Sequence, residues 1–561
     1  MKVIIAEKKF RELLIPTILI AMALNITAIV DASFVATYVS ADAQAALQVL
    51  EPLVLLVTVF EWFFGLGGQI LALNRKAEFD TEGSNHYFTL SIIATIAISL
   101  ILAILCLMFP DYVMAILHCR ADLAPLAKSY GFYFFISMPI SVTLAVLSQY
   151  IRVDGQPNLS SALIVVANLI NIILNFVFLD LMHMGIEGSS LGLLIGYSVG
   201  LICSILYFIS PKRTFRFSFG NVPIKKWFKS FAEMLKIGFP GASIGIFDLL
   251  LIEIMNVVLE AVMGKPGLNA YNVCTNALLI ISILVVGISE TLSSIVPVYY
   301  THNDYLNLNH LIKRSLLATT ICAIVFIALI WISPDTILMF FSLTDNAAAD
   351  QIRNALKIFS LSFLPYVLST LLIFYYEAIE RTVVSTIISF ISTFLGPLVL
   401  TFALYPIIGV DGIWLSFPLG TVLSILVAWI YVKIIERKEK EYSGPFFIKK
   451  DLIQKTRNYT IESVNDATRT EMMEHLKTLD LDDSSTKTIV KLIDEIFKFN
   501  NNDVAMEVLI VDYDDNITIN IKDEGKKNIW ENISKDLLDN KSIKFTEVLG
   551  FNNTEYVINK S

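Results

Sequence analysis

Twelve apolar stretches, each close to the length that crosses a lipid bilayer, constrain this chain more than any other feature. A helical span needs about 20 predominantly apolar residues, and such stretches cover residues 12–38, 45–73, 86–110, 124–150, 158–181, 189–209, 236–262, 270–300, 311–332, 354–380, 382–405 and 409–435. Within hydrocarbon the backbone must bond to itself, so the expected fold is an all-α polytopic membrane protein. Charge is distributed to match. Residues 441–561 carry 39 of the 93 charged side chains, 23 acidic and 16 basic, which leaves 54 for residues 1–440. Charge is thus more than twice as dense in the last stretch as before it, and the chain reads as a membrane part followed by a small soluble domain. The first stretch is expected to be a span and not a cleaved signal, because it is long, contains Asp31 and lacks a small-residue cleavage site.

Lysine and arginine placement sets orientation. With the N-terminus inside, twenty-one basic residues fall on one side, among them Lys2, Lys8, Arg75, Arg152, Arg213, Lys225, Lys313, Arg381 and Lys438. Five, Arg120, Lys128, Lys265, Arg353 and Lys357, fall on the other. This bias implies a multi-pass plasma membrane protein with both termini cytoplasmic. It also leaves no basic stripe outside the membrane-flanking loops, which argues against a nucleic-acid partner. The cysteines Cys106, Cys119, Cys203, Cys274 and Cys322 are scattered with no CxxC pair, as small buried hydrophobes are.

The spans divide into two copies of six. Pro16 finds a counterpart in Pro240, Gly65-Leu66-Gly67 in Gly287-Ile288-Ser289, Arg152 in Arg381, and Gly185-Ile186-Glu187-Gly188 in Gly409-Val410-Asp411-Gly412, all at offsets near 224. Glycine and proline punctuate helix ends in any membrane protein, but punctuation alone does not give one common spacing. An even number of spans per copy makes the halves parallel. The expected domains are a six-helix lobe over 1–210, a linker over 211–236, a second six-helix lobe over 237–440 and a cytoplasmic α/β domain over 445–561. Parallel halves enclose a central site and rock against each other, which implies a transporter and no enzyme.

Carboxylates within apolar spans are costly and are functional candidates by default. Asp31 lies fifteen residues beyond Pro16, about 22 Å along the helix. Asn168, Asn171 and Asn175 share one face of the fifth span, where their amides serve either a cation site or helix packing. Asp248 and Glu253 sit in the seventh span. Glu290 and Glu377 are further candidates for a cation cavity unless they lie at helix ends in water. Span centres lack lysine and arginine, so an acidic cavity favours cations over phosphates or acidic glycans.

Arg152-Val153-Asp154-Gly155-Gln156-Pro157, Asn171-Ile172-Ile173-Leu174-Asn175 and Gly185-Ile186-Glu187-Gly188-Ser189-Ser190 resemble the fourth-to-sixth-span signature of the multidrug and toxic compound extrusion (MATE) family. Glu380-Arg381, Gly409-Val410-Asp411-Gly412-Ile413-Trp414 and Pro418 resemble its second-half partner, and together the likeness covers roughly residues 8–440. The resemblance implies a secondary antiporter that exports organic, often cationic compounds against protons or sodium ions, working in the bilayer as a monomer. It places Asp31 as the coupling residue and Asp248 at the acidic position of the seventh span. Where many members carry an aspartate, this chain has Asn175, and the tenth-span aspartate of some branches is Thr370 here. The alternatives are a flippase for lipid-linked sugars or polysaccharides in the same superfamily, and a non-transporting sensor that signals through its tail.

In the tail, Thr468 to Leu479 and Ser485 to Phe499 pattern as amphipathic helices. Ala505 to Asp512, Asn516 to Lys522, Ile543 to Leu549 and Thr554 to Asn559 pattern as strands. Ile493-Asp494-Glu495 and Asp523-Glu524-Gly525 resemble the ATP-binding fold of histidine kinases and anti-sigma-factor kinases. Phe499 and Lys527 replace the asparagine and second glycine of that pattern, so the expectation is a degenerate domain without ATP chemistry or other cofactor, suited to a cytoplasmic protein partner.

Overall fold

The computed structural model describes residues 5–220, 223–340, 349–462, 467–479, 481, 483–500, 504–525, 537, 540 and 542–560. Lys2 and Lys527, named above, lie outside the described residues. Among the described residues eleven helices are long and apolar enough to span a membrane. The pair Ala349–Ser360 and Phe363–Ala378, bent by 41° at its break, makes a twelfth.

The two sixfold sets correspond element by element along the sequence. Spans Ala41–Ala77, Thr81–Met108 and Ala124–Val153 recur as Lys265–Thr301, Tyr305–Ile332 and the bent pair. Short helices Pro110–Ile116 and Pro334–Phe340 recur as well, each opening on a proline that fits a helix first turn. Gly185 and Gly409 precede the sixth and twelfth spans with φ of +75° and +66°, which glycine adopts without a Cβ clash. Even the ion pairs repeat: Lys128 meets Asp111 in one lobe as Arg353 meets Asp335 in the other.

Three of the differences from the sequence reading shape the seam between the lobes. The first span is already helical at Ile5, the first described residue, where Ala6, Phe10 and Leu13 pack against the bundle. The seventh starts at Ile224, within the stretch expected as linker, since Trp227 and Phe231 also face the bundle. The second is interrupted by a π-helical segment, Glu61–Leu66, next to which the backbones of the two lobes come together. There a Cβ on Gly67 would lie 2.6 Å from the Met234 carbonyl oxygen, and one on Gly238 would lie 2.7 Å from the Trp62 carbonyl oxygen and the Phe63 Cα. Gln69 donates to Ser294 across the same seam at 3.2 Å. All these contacts lie toward the face that carries the tail.

The tail begins with a hairpin, β1 (Tyr442–Ser443) and β2 (Ile448–Lys449), and continues into a five-stranded antiparallel sheet. Its strands are β3 (Thr456–Ile461), β4 (Met506–Asp512), β5 (Asn516–Asp523), β6 (Ile543–Val548) and β7 (Phe551–Asn559), in the order β3-β4-β5-β7-β6. Val508, Ile510, Ile519 and Ile521 point to one face and pack on helices Ala467–Thr478 and Asp483–Phe499. Period-two alternation sends Glu507, Leu509 and Val511 to the other face. That face lies against the membrane bundle, where Leu509, Val511 and Phe551 share a core with Ile5, Leu73 and Tyr299.

Candidate functional site

Asp31 sits on the first span near its far end, 7% exposed. Asn175 on the fifth span donates its side-chain amide to Asp31 Oδ1 at 2.5 Å. Asn171, with its amide nitrogen turned to the carboxylate, donates to both oxygens at 3.0 and 3.2 Å, and its oxygen accepts from the Leu193 N–H at 2.8 Å. Two amides thus replace water around one carboxylate. The sixth span makes room for them: a Cβ on Gly192 would lie 2.6 Å from Asn175 Oδ1, and one on Gly196 would lie 2.4 Å from the Ala167 carbonyl oxygen and 3.1 Å from the Asn171 nitrogen. Tyr130 and Tyr197 stand close enough to feel the charge of Asp31. Asn168 does not join this group; its amide returns to the Ile164 carbonyl at 2.8 Å, one turn back on its own helix.

In the second lobe Asp248 is exposed, with Tyr271 and Tyr366 in electrostatic reach. Tyr271 also lines a cleft of about 570 Å³ with Asn256, Glu260, Asn269 and Asn272. Glu253 is exposed five residues on from Asp248, about 140° around the helix and so on a different face.

Glu290 and Glu377 lie in the seam between the lobes and not at helix ends in water. Glu290 ion-pairs with Arg152 of the first lobe, whose guanidinium also donates to the Thr17 hydroxyl at 3.1 Å. Glu377 is fully buried, with its Oε1 beside the position a Gly241 Cβ would take. A residue not singled out from the sequence joins them: Glu61 accepts from the Gln149 amide at 2.9 Å and feels both Glu290 and Arg152. Its signal was present, an acid inside an apolar stretch, although the adjoining Trp62-Phe63-Phe64 reads as packing.

Among the described residues no group of three or more His, Cys, Asp or Glu side chains could hold a metal ion. In the tail, Asp523 Oδ1 accepts from the Gly525 N–H and the Asn552 amide, both at 2.9 Å. Asn500 fills the space a Cβ on Gly525 would need. The carboxylate that resembles an adenine-binding aspartate is thus bonded by its own chain, and burial pushes it up to about 6.

The family model described as MatE matches residues 16–177 and 240–402, together more than half of the chain, and its two segments open on Pro16 and Pro240, the first pair of the internal repeat. Multidrug export protein MepA from Staphylococcus haemolyticus is 22% identical over 53% of this chain, and MepA from Staphylococcus aureus (strain MRSA252) is 23% identical over 54%. The chain covers 65% and 66% of the length of these relatives. A multidrug resistance MATE family transporter of the MOP superfamily, solved in an outward-facing conformation, superimposes with a TM-score of 0.70 at 15% identity over 78% of this chain and 97% of its own. The Vibrio cholerae MATE transporter VcmN, as a mutant, gives 0.69 at 15% identity over 79% and 98%. A Pyrococcus furiosus MOP superfamily transporter with reversed polarity of its binding pocket gives 0.69 at 16% identity over 76% and 95%. With the family match resting on both lobes and the fold shared along almost the whole length of solved transporters, the chain belongs to the MatE family.

Proposed function

We propose that this protein is a monomeric secondary antiporter that exports organic cations from the cytoplasm in exchange for protons or sodium ions. One observation carries this reading: a lone carboxylate, Asp31, is held in an apolar span by two amides and little else. Such a group binds a proton or small cation in one state and releases it when its surroundings change. The acidic residues Asp248 and Glu260 near the second-lobe cleft support a cationic substrate over an anionic one. The basic loops support a cytoplasmic placement for both termini and the tail. A flippase for anionic lipid-linked sugars would instead need basic side chains in the span centres, and a non-transporting sensor would not need Asp31. The test uses purified protein in liposomes with pH and sodium gradients set separately. Ethidium movement that collapses one gradient supports the reading, and movement indifferent to both refutes it.

A further inference from the structure

The soluble domain touches both lobes, and it does so unequally. To the second lobe it is fixed by buried contacts. Arg381 of the second lobe covers the rings of Tyr442 and Phe447 in the hairpin. The hydroxyls of Tyr300, Tyr375 and Tyr376 donate to the carbonyls of Phe447, Phe446 and Pro445 at 3.0, 2.8 and 2.6 Å. Lys522 on β5 pairs with Asp304, in the turn before the ninth span, at 3.1 Å, with side chains 1% and 0% exposed.

Its grip on the first lobe is lighter. Glu507 Oε1 accepts from the N–H groups of Ile5 and Ala6, the first two described residues of the first helix, at 2.8 and 3.4 Å. Glu524 pairs with Lys8, itself half exposed, and with Lys9 at 3.0 Å. Gly550 meets Gly155 so closely that a Cβ on Gly155 would lie 2.4 Å from the Gly550 Cα. The other oxygen of Glu507 accepts from Asn307 of the second lobe at 3.2 Å, so one carboxylate spans the seam.

Lobes that rock apart on this face must draw Ile5 away from Asn307, which the docked domain prevents. We propose that the soluble domain is an intramolecular brake: it rides with the second lobe and, while docked on the first, holds the tail-side face of the transporter closed. Lys8 is half exposed and Lys9 and Glu524 are 10% and 16% exposed, against 1% and 0% for Lys522 and Asp304. Ion pairs that water reaches contribute less, so the first-lobe pairs let go first and set when that face opens. The brake rests on the antiporter reading above, and labelling in the seam separates its failure from the failure of that reading.

In full-length protein whose five native cysteines are replaced, Gln69→Cys places a reporter in the seam, where Gln69 is fully buried. Glu524→Lys repels Lys8 and Lys9 at the domain surface. Its maleimide labelling at position 69 is expected to rise about fivefold or more, the lower end of coupling between sites. Because Glu12 also pairs with Lys8 and Lys9, the fourfold change Lys8→Glu, Lys9→Glu, Glu12→Lys, Glu524→Lys restores all the pairs with reversed sign and returns labelling to its starting rate. Zero-length carbodiimide coupling of Lys8 or Lys9 to Glu524 should suppress labelling and transport together. Unchanged labelling in Glu524→Lys, or full-rate transport by the coupled protein, overturns the brake. Docking-dependent labelling without transport in any variant supports the closed seam and overturns the transporter reading instead.

Discussion

Arg152 and Glu290 form an ion pair across the seam between the lobes, with side chains 2% and 18% exposed. The two residues belong to different six-helix units, and Glu61 stands within reach of both. A buried pair of this kind adds little net stability, yet removing one member strands the other charge, at about 3–5 kcal/mol. Arg152→Ala is therefore expected to lower thermal stability markedly in detergent, because Glu290 and Glu61 lose their common cation. The double change Arg152→Met, Glu290→Met should recover most of that loss, as read by unfolding monitored through tryptophan fluorescence.

Asp31 offers the most direct test of coupling. Asp31→Asn is expected to reduce gradient-driven efflux to background while leaving the fold intact, since an amide fits between Asn171 and Asn175. Asn175→Asp sets a second carboxylate beside the first, a better site for a small cation, and should strengthen the sodium dependence of transport in liposomes at fixed pH. Asn168→Ala removes one bond within its own helix and should cost no more than about 1 kcal/mol of stability.

Gly192 and Gly196 act on the same site from behind. Gly192→Val puts methyl groups where Asn175 Oδ1 now sits and should mimic Asp31→Asn in transport, with an overpacking cost of about 1–3 kcal/mol. Gly245→Ala, at a position with nothing within 4 Å of the added Cβ, is the matched control and should transport normally. Equal loss in both variants would mean that glycine flexibility, not room for the asparagines, is what matters.

Hydropathy, basic loops and the common offset of the repeated motifs made the twelve spans, the two lobes and the tail readable in advance. That Asn171 and Asn175 share a face was legible too, from helical spacing, but their meeting with Asp31 of another span, and the exclusion of Asn168 from it, was not. Less was visible where two distant surfaces meet. Glu290 reads as a cavity acid until Arg152 arrives from the other lobe. On β4 and β5, Glu507 and Lys522 alternate with buried isoleucines, so they read as a solvated sheet face. Tertiary docking turned that face inward, and no local pattern encodes the surface that covers it.

Glu507 predicts how the docked domain responds to pH. Burial pushes its carboxyl up to about 7, with the Asp304 charge acting the same way and Lys522 and the N–H groups of Ile5 and Ala6 opposing. Asn307 and the fully buried Tyr299 complete its surroundings. The docked carboxyl thus holds its proton more tightly than a free glutamate near 4.5. Docking is then fully favoured below about pH 4.5, weakens as pH rises through 7, and is flat above, a change of about 3 kcal/mol at most. Asp523 tends the same way up to about 6, whereas His302, held down to about 3 by burial and Lys522, weakens the packed state as pH falls below 6.5. Glu507→Gln isolates the first contribution, since glutamine keeps an acceptor for Ile5 and cannot ionise. Proximity, read as energy transfer between dyes on the tail and the first span, should fall between pH 5.5 and 8 in the wild type. In Glu507→Gln that fall should shrink or vanish, and an unchanged slope would show that Glu507 does not carry the response.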